Sequence, residues 1–365
     1  MIAYYITAHG YGHGVRSADI IRAVNHLYPD INIHIVTGLP DSLLKNRISA
    51  DKLTIHVRDF DIGMVQLDSI RVDVNETLDR ALALYAMRER LLADETEFLK
   101  KTGINLVVSD IPSLPLEAAA RAGIPRIAVG NFSWDWIYSE FQADDRRWTP
   151  IIEMFREQYA RADLLLRLPF HDEMAVFSKK EDIPLVARPG KPCREKIARL
   201  IGGDPEKKWA LLSFTTLDLS DEALSRIEQI EEYEFLTVLP LEWRRRNIHA
   251  VAREQASFSD TLATVDVVIS KPGFGILSDC VVNNKPLIYA ERTNFREYPV
   301  LESSIRRYLK NVRIPAEDLY RGDIELSLRK VETAEEPPES LSAGGDEIAA
   351  RHILTAAGAQ LPDII

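Results

Sequence analysis

Ala8-His9-Gly10-Tyr11-Gly12-His13-Gly14-Val15-Arg16 separates two runs of different character. Before it, Ile2 to Ala8 is apolar; after it, Ala18, Ile21, Val24 and Leu27 recur at helical spacing. That order reads as strand, glycine loop, helix. Three glycines in five positions let the backbone turn sharply and let a ligand approach it. The helix behind offers unpaired N–H groups and the positive end of its dipole. A loop built only to reverse the chain has no need of His9 and His13. The stretch is not a P-loop, because no Gly-Lys-Ser/Thr follows. It fits the dinucleotide fingerprint poorly: Val15 fills the third glycine position, and His34 rather than an acid lies about twenty residues on.

At 365 residues the chain is too long for one ordinary core, so two domains are expected. A hydrophobic content of 46% with 28% charged residues describes a globular protein. The net charge of −11 and a pI near 5.4 argue against a nucleic-acid partner. Arg244-Arg245-Arg246 is a local exception and reads as a solvated helix start. Two cysteines, Cys193 and Cys280, make neither a disulfide framework nor a metal cluster. No signal peptide is recognised, and no run approaches the ~20 apolar residues of a membrane span. The cytoplasm is the expected compartment; the oligomeric state is not legible.

Strands are expected at Ile31–Val36, Leu53–Val57, Leu106–Ser109, Arg126–Val129 and Leu164–Leu168. Helices are expected at Val15–Leu27, Glu76–Leu99, Leu116–Ala122 and Ile151–Ala160. Such alternation means a parallel sheet covered on both faces. The pattern loosens around Pro169–Pro192. A second series follows, with strands at Trp209–Phe214, Glu234–Val238, Val267–Ser270 and Pro286–Tyr289. Ala334–Gly345 reads as a linker and Asp346–Ala357 as a last helix. The division is therefore residues 1–180, an N-terminal Rossmann-like domain; 181–345, a second one; and 346–365, a terminal helix whose candidate partner is the N-terminal domain. The second half has its own glycine loop, Lys271-Pro272-Gly273-Phe274-Gly275, between a buried strand and a helix. Two such domains face to face would place both loops on one cleft.

Several stretches carry a resemblance, in order along essentially the whole chain. They are His9–Arg16, Asp61–Ser69, Ser109-Asp110 with Ala122–Pro125, Asn131–Asp135, and Ser270–Ser278 with Asn294–Glu297. In these the chain resembles GT-B glycosyltransferases, with the layout of the peptidoglycan N-acetylglucosaminyltransferase and the UDP-glycosyltransferases. It is closer still to the glycosyltransferase-like N-terminal part of plant arabinokinases and their stand-alone bacterial relatives. The resemblance implies an α/β GT-B fold of two doubly wound, Rossmann-like domains. It implies a nucleotide-diphosphate sugar, a UDP-sugar first, held by Ser270, Gly273, Phe274, Gly275, Ile276, Ser278, Asp279, Arg292, Arg296 and Glu297. No metal and no separate cofactor are implied. Where the family has a Ser-Glu pair for the ribose, this chain has Ser278-Asp279, one methylene shorter. Phe214-Thr215-Thr216 replaces glycines often found after the first strand of that domain.

His13 aligns with the histidine of the family's first glycine loop, which implies a general base for an acceptor hydroxyl. A histidine suits the task because its pKa lies near neutrality. Asp110, at the end of a strand, is the candidate to orient it. His13 as a ligand contact or a turn cap stays open. His9, Gly12 and Gly14 of the first loop, with Gln66, Asp68, Asn131, Trp134 and Asp135, are the candidate acceptor contacts. Aromatic faces stack on sugars, and amides and carboxylates take hydroxyls. Loop solvation and core packing are the plain alternatives for these. Asp59-Phe60-Asp61 mimics a metal-binding DxD, but aspartates after a strand are usually turn chemistry. The expected activity is metal-independent transfer of a sugar to an acceptor hydroxyl, with inversion. A nucleotide-sugar sensor without turnover and a sugar-nucleotide epimerase are the alternatives. The expected partners are a small-molecule sugar donor and acceptor.

Overall fold

In the computed structural model residues 1–48, 52–252, 254–293 and 295–360 are described. The Ile2–Ile6 run is a strand, β1, with every residue buried. Its side chains alternate between faces, as strand geometry requires. Ile2, Tyr4 and Ile6 join one apolar cluster; Ala3 and Tyr5 join another. A strand buried on both faces needs helices on both sides of its sheet. Tyr11–Leu27 and the terminal helix Gly345–Ala356 cover the first face, through Ala18, Ile21 and Val24 and through Ala350, Ile353 and Leu354. Val74–Thr102 and Leu114–Ala122 cover the second.

After β1 the chain gives β2 (Ile33–Thr37), β3 (Leu53–Val57), a short ribbon of β4 (Val65–Gln66) and β5 (Val72–Asp73), then β6 (Leu106–Asp110), β7 (Arg126–Gly130), β8 (Leu164–Arg167) and β9 (Lys180–Asp182). The first sheet has the order β3-β2-β1-β6-β7-β8-β9, with its neighbours parallel. Strand order reverses between β1 and β6, and ligands of open α/β sheets bind beyond the strand ends at such a point. The second sheet is built from β10 (Lys208–Ser213), β11 (Tyr233–Val238), β12 (Ile248–Val251), β13 (Val267–Ser270), β14 (Leu287–Ala290) and β15 (Asn311–Ile314). Its order is β12-β11-β10-β13-β14-β15, again parallel, with the reversal between β10 and β13.

The two sheets belong to two compact units, and neither unit is one continuous piece of chain. The first takes in Met1–Val65, Asp73–Ala187 and the chain from Ala343 on; the second takes in Gln66–Val72 and Arg188–Ser342. The chain changes unit after Ala187 rather than after 180, because β9 still pairs with β8 and Leu185 bridges Ala343. Residues 66–72, read from sequence with the N-terminal domain, fold with the second unit. Ile70 is buried in that unit's core, and the Ser69 N–H donates to Thr216 O at 2.9 Å.

Two local expectations change. The first helix starts at Tyr11, not Val15, so Gly12 and Gly14 lie inside it. Gly10 alone makes the turn, at φ 151°, which a residue with a Cβ rarely adopts. Gly14 is a packing glycine: a Cβ there would stand 2.6 Å from Leu39 Cδ1. Arg244–Arg246 starts no helix. Arg245 turns the chain into β12, its N–H donating to Ile248 O at 3.0 Å, and Arg245 and Arg246 pair with Asp221 and Glu231. Among the described residues no helix is long and apolar enough to cross a membrane, and no three His, Cys, Asp or Glu stand grouped for a metal ion.

Candidate functional site

At the strand reversal of the first unit, Thr7 follows the last residue of β1 and β6 ends in Asp110. Asp110 is completely buried and accepts four hydrogen bonds from the first helix or its start. Arg16 grips it with two: Nε to Oδ2 at 2.7 Å and Nη2 to Oδ1 at 2.6 Å. Ser17 Oγ donates to Oδ2 at 2.8 Å, and His13 Nδ1 lies 3.0 Å from Oδ1. His13, Arg16 and Ser17 reach one carboxylate because i, i+3 and i+4 share a helix face. Burial alone would raise the Asp110 carboxyl, but the Arg16 charge and hydrogen bonds, with the His13 hydrogen bond, outweigh it and hold the group well below the usual range. Asp110 is therefore a fixed carboxylate, an acceptor only.

A buried carboxylate beside Nδ1 favours the tautomer of His13 with its proton there. Nδ1 also lies 3.0 Å from Arg16 Nη2. A lone pair on Nδ1 would accept from Arg16 but face a carboxylate oxygen at the same distance, which repels it. A proton on Nδ1 satisfies the buried Asp110 carboxylate, and Arg16 already gives Nε and one of its two Nη2 protons to that carboxylate. Nε2 is then the unprotonated nitrogen, and it makes no hydrogen bond among the described residues. Burial first, then Arg16, lower the His13 pKa, against the pull of Asp110. A neutral imidazole with one bare nitrogen, held by a carboxylate, can accept a proton.

Asp61 stands beside this group and is also buried. Thr7 Oγ1 donates to its Oδ1 at 2.7 Å and Trp134 Nε1 to its Oδ2 at 2.9 Å. Burial raises its carboxyl to about 6, against those two hydrogen bonds. The backbone N–H of Met64 donates to His9 Nδ1 at 3.3 Å, and the His9 ring meets Trp134 edge-on at 5.2 Å. Gly63, at φ 63°, leaves His9 its place, since a Cβ there would stand 2.0 Å from Nδ1.

The expected acceptor wall is used differently. Trp134 is 1% exposed; Tyr138 stacks on it at 5.4 Å, and Phe132 and His9 meet it edge-on. No ring face remains for a sugar, so Trp134 supports Asp61 and His9 instead. Asn131 accepts from Arg16 Nη1 at 3.1 Å and donates to Pro169 O at 3.3 Å. Asp135 pairs with Arg156 at 3.4 Å. Of the first loop, Gly12 is exposed, His9 and His13 are half-buried, and Gly14 is enclosed. Gln66 and Asp68 lie in the segment that folds with the second unit.

In that unit β13 ends at Ser270, buried, with its Oγ donating to Ser213 O at 2.7 Å. Gly273 caps the helix Phe274–Val282 in an extended conformation. Gly275 is exposed in its first turn, and Phe274, Ile276, Ser278 and Asp279 are half-buried. Ser278 Oγ donates to Phe274 O at 2.9 Å, back into its own helix. Arg292, after β14, is 6% exposed; its Nε donates to Ile70 O at 3.3 Å and its guanidinium lies 3.3 Å from the Phe295 ring centre. Arg296 and Glu297 follow at the start of the helix Tyr298–Tyr308, both half-buried; Asn294 lies outside the described residues. Asp68 is engaged: its carboxylate takes the N–H groups of Ile70 and Arg71, both at 2.8 Å, the Arg71 side chain, and Tyr320 Oη at 2.8 Å.

Two residues of these sites were not singled out from sequence. Arg16 stood in the quoted stretch, but only its burial beside Asp110 marks it. Lys271 stood in the second loop, and only the charges around it give it meaning.

No protein-family model matches the chain. An L-arabinokinase of Arabidopsis thaliana is 30% identical over 366 residues, 97% of this chain; the chain spans about a third (34%) of that protein's length. Among solved structures, a UDP-glucosyltransferase from Polygonum tinctorium capable of glucosylating indoxyl, in complex with 3,4-dichloroaniline, aligns with a TM-score of 0.63 at 13% identity, over 98% of each chain. Phytolacca americana UGT2, complexed with UDP-2fluoro-glucose and pterostilbene, aligns at 0.61 and 11% identity, over 98% of this chain and 93% of that one. The glycosyltransferase SnogD of Streptomyces nogalater aligns at 0.56 and 15%, over 97% and 99%. The chain has the GT-B fold, with two Rossmann-like units.

Proposed function

We propose that the chain is a glycosyltransferase that moves a sugar from a nucleotide-diphosphate sugar to an acceptor hydroxyl, with inversion and without a metal. The observation that carries this reading is His13: neutral, bare at Nε2, and fixed through Nδ1 by a permanent carboxylate. His13 Nε2 takes the hydroxyl proton as the oxygen attacks the anomeric carbon. The new C–O bond forms as the bond to the diphosphate oxygen breaks, and the electron pair leaves with the diphosphate. Asp110 stabilises the imidazolium, and Arg16 keeps Asp110 ionised and in place. Such a base contributes roughly 10²–10⁴ in rate. In the second unit, the first turn of the helix Phe274–Val282 and Arg292 offset the growing charge of the leaving group. Uridine is the first nucleotide to try, since UGT2 was solved with UDP-2fluoro-glucose.

The test incubates the protein with UDP-sugars and a panel of sugar and phenolic acceptors, and follows glycoside formation. The reading expects acceptor-dependent release of nucleoside diphosphate that His13→Ala abolishes. Consumption of donor without acceptor would mean an epimerase or hydrolase instead. A second reading, a nucleotide-sugar sensor, draws on the match to a third of an L-arabinokinase. It expects donor binding with no product, alike in wild type and His13→Ala.

A further inference from the structure

Lys271 follows the last residue of β13 and precedes the glycine cap of the helix Phe274–Val282. It is partly buried and makes no hydrogen bond or ion pair among the described residues. Three charged groups face it from three elements: Arg292 after β14, Glu297 at the start of the helix Tyr298–Tyr308, and Asp68 from the 66–72 segment. Asp68 is already held by Arg71, Tyr320 and two backbone N–H groups. Arg292 is more than nine-tenths buried, yet its Nη2 has no hydrogen-bond partner among the described residues. A buried guanidinium nitrogen left unpaired beside a second basic group is costly unless an anion completes it. The same place has the N-terminal end of a nine-residue helix.

We propose that Lys271 and Arg292 together seat the two phosphates of a nucleoside diphosphate, and that Lys271 takes up a proton when the diphosphate arrives. The proposal rests on the nucleotide-sugar reading and adds to it the residue that distinguishes a diphosphate from a monophosphate. Two cations and a helix end match a group of two linked phosphates, whereas a monophosphate engages only part of the set. In the free protein burial, then the Arg292 charge, lower the Lys271 ammonium to about 7, against Glu297 and Asp68. A diphosphate reverses that balance, because the charged ammonium then has its anion. The sign follows: the protonated form binds more tightly, so affinity falls as pH rises above about 7.

The experiment is titration calorimetry of the full chain with UDP, GDP, ADP and dTDP, and with the matching monophosphates. It is run at pH 7, 8 and 9 in two buffers of different ionisation enthalpy. In this range the terminal phosphate, with a second pKa of about 6, is already ionised. The wild type is expected to take up close to one proton per diphosphate at pH 8, and its affinity to fall roughly fivefold from pH 7 to 8 and roughly tenfold from 8 to 9, until the pKa of the bound state is reached. Lys271→Met is expected to bind the diphosphate at least tenfold more weakly at pH 7, to change monophosphate binding less than threefold, and to lose the proton uptake. Lys271→Arg is expected to keep affinity and lose the pH dependence. Wild type that binds a diphosphate without proton uptake, or a Lys271→Met protein that binds it equally well, overturns the proposal and leaves the nucleotide-sugar reading standing. A wild type that binds no nucleoside diphosphate overturns both. The calorimetry of unaltered protein keeps the proposal falsifiable should a variant not fold.

Discussion

Asp61→Asn should stabilise the first unit at alkaline pH. Asp61 is 8% exposed, and the donors its carboxylate accepts from, Thr7 Oγ1 and Trp134 Nε1, are neutral. An asparagine of the same shape keeps both contacts, with Oδ1 toward the indole N–H and Nδ2 donating to the threonine hydroxyl. What it removes is the cost of burying a charge. Burial lifts the folded-state pKa to about 6, whereas an exposed aspartate titrates near 3.9. The folded state therefore holds the extra proton between about 4 and 6, and stability falls as pH rises through that window. Two pH units at 1.36 kcal/mol each put the cost at about 3 kcal/mol above pH 6, and near zero below pH 4. For a unit of this size that is roughly 6–12 °C in melting temperature. The assay compares wild type and Asp61→Asn by scanning calorimetry at pH 8 and pH 4, with hydrogen exchange of β1 and β6 identifying the first unit's transition. The gain should appear at pH 8 and shrink toward nothing at pH 4. A variant less stable than wild type at pH 8, or a gain that grows on acidification, would refute the reasoning.

His13→Ala should lower turnover by roughly 10²-fold or more while leaving donor affinity intact, read as kcat beside a nucleotide Kd. Because burial and Arg16 hold the His13 pKa below its usual value, the base is already free at neutral pH, and kcat/KM should fall only on acidification below about 6.5. Gly63→Ala, at a positive φ with its new Cβ driven into the His9 ring, should cost more than about 1 kcal/mol in urea unfolding; an unchanged midpoint would show that His9 moves aside freely. Gly275→Val places a branched side chain on the exposed first turn of its helix and should weaken nucleoside diphosphate binding at least tenfold without loss of stability. Unchanged affinity there would remove the helix end from the donor site.

Much of the scaffold could be read ahead of the structure because its central strands are continuous apolar runs. Val267–Ser270 needed only its four residues and the glycines behind them. β9, β12 and β15 were missed for the opposite reason. As edge or near-edge strands they carry Lys180-Glu181-Asp182, His249 and Arg313, and such strands need not be apolar on both faces. The first helix was started late because glycines were read as turn residues, whereas Gly14 is there to admit Leu39 and Leu43. Asp110 was legible as the end residue of a strand. Arg16 was not, because an arginine one turn into an amphipathic helix reads as surface until the carboxylate it meets is placed beside it. Trp134 misled for a similar reason: an aromatic after a strand suits a sugar wall and a core equally, and only its occupied faces decide.

The interleaving of residues 66–72 and of Gly345–Ala356 bears on how the chain is made. The first unit awaits the helix that covers Ala18 and Val24, which is made more than three hundred residues after β1. The second holds Ile70, synthesised more than a hundred residues before β10. Domains ordinarily finish one after another during synthesis. Here the opening strands must stay partly uncovered until the chain has passed through the second unit, Arg188–Ser342. A fragment cut after Ala187 should expose apolar surface and gather chaperones, and a fragment from Arg188 should lack the residue that plugs its own core.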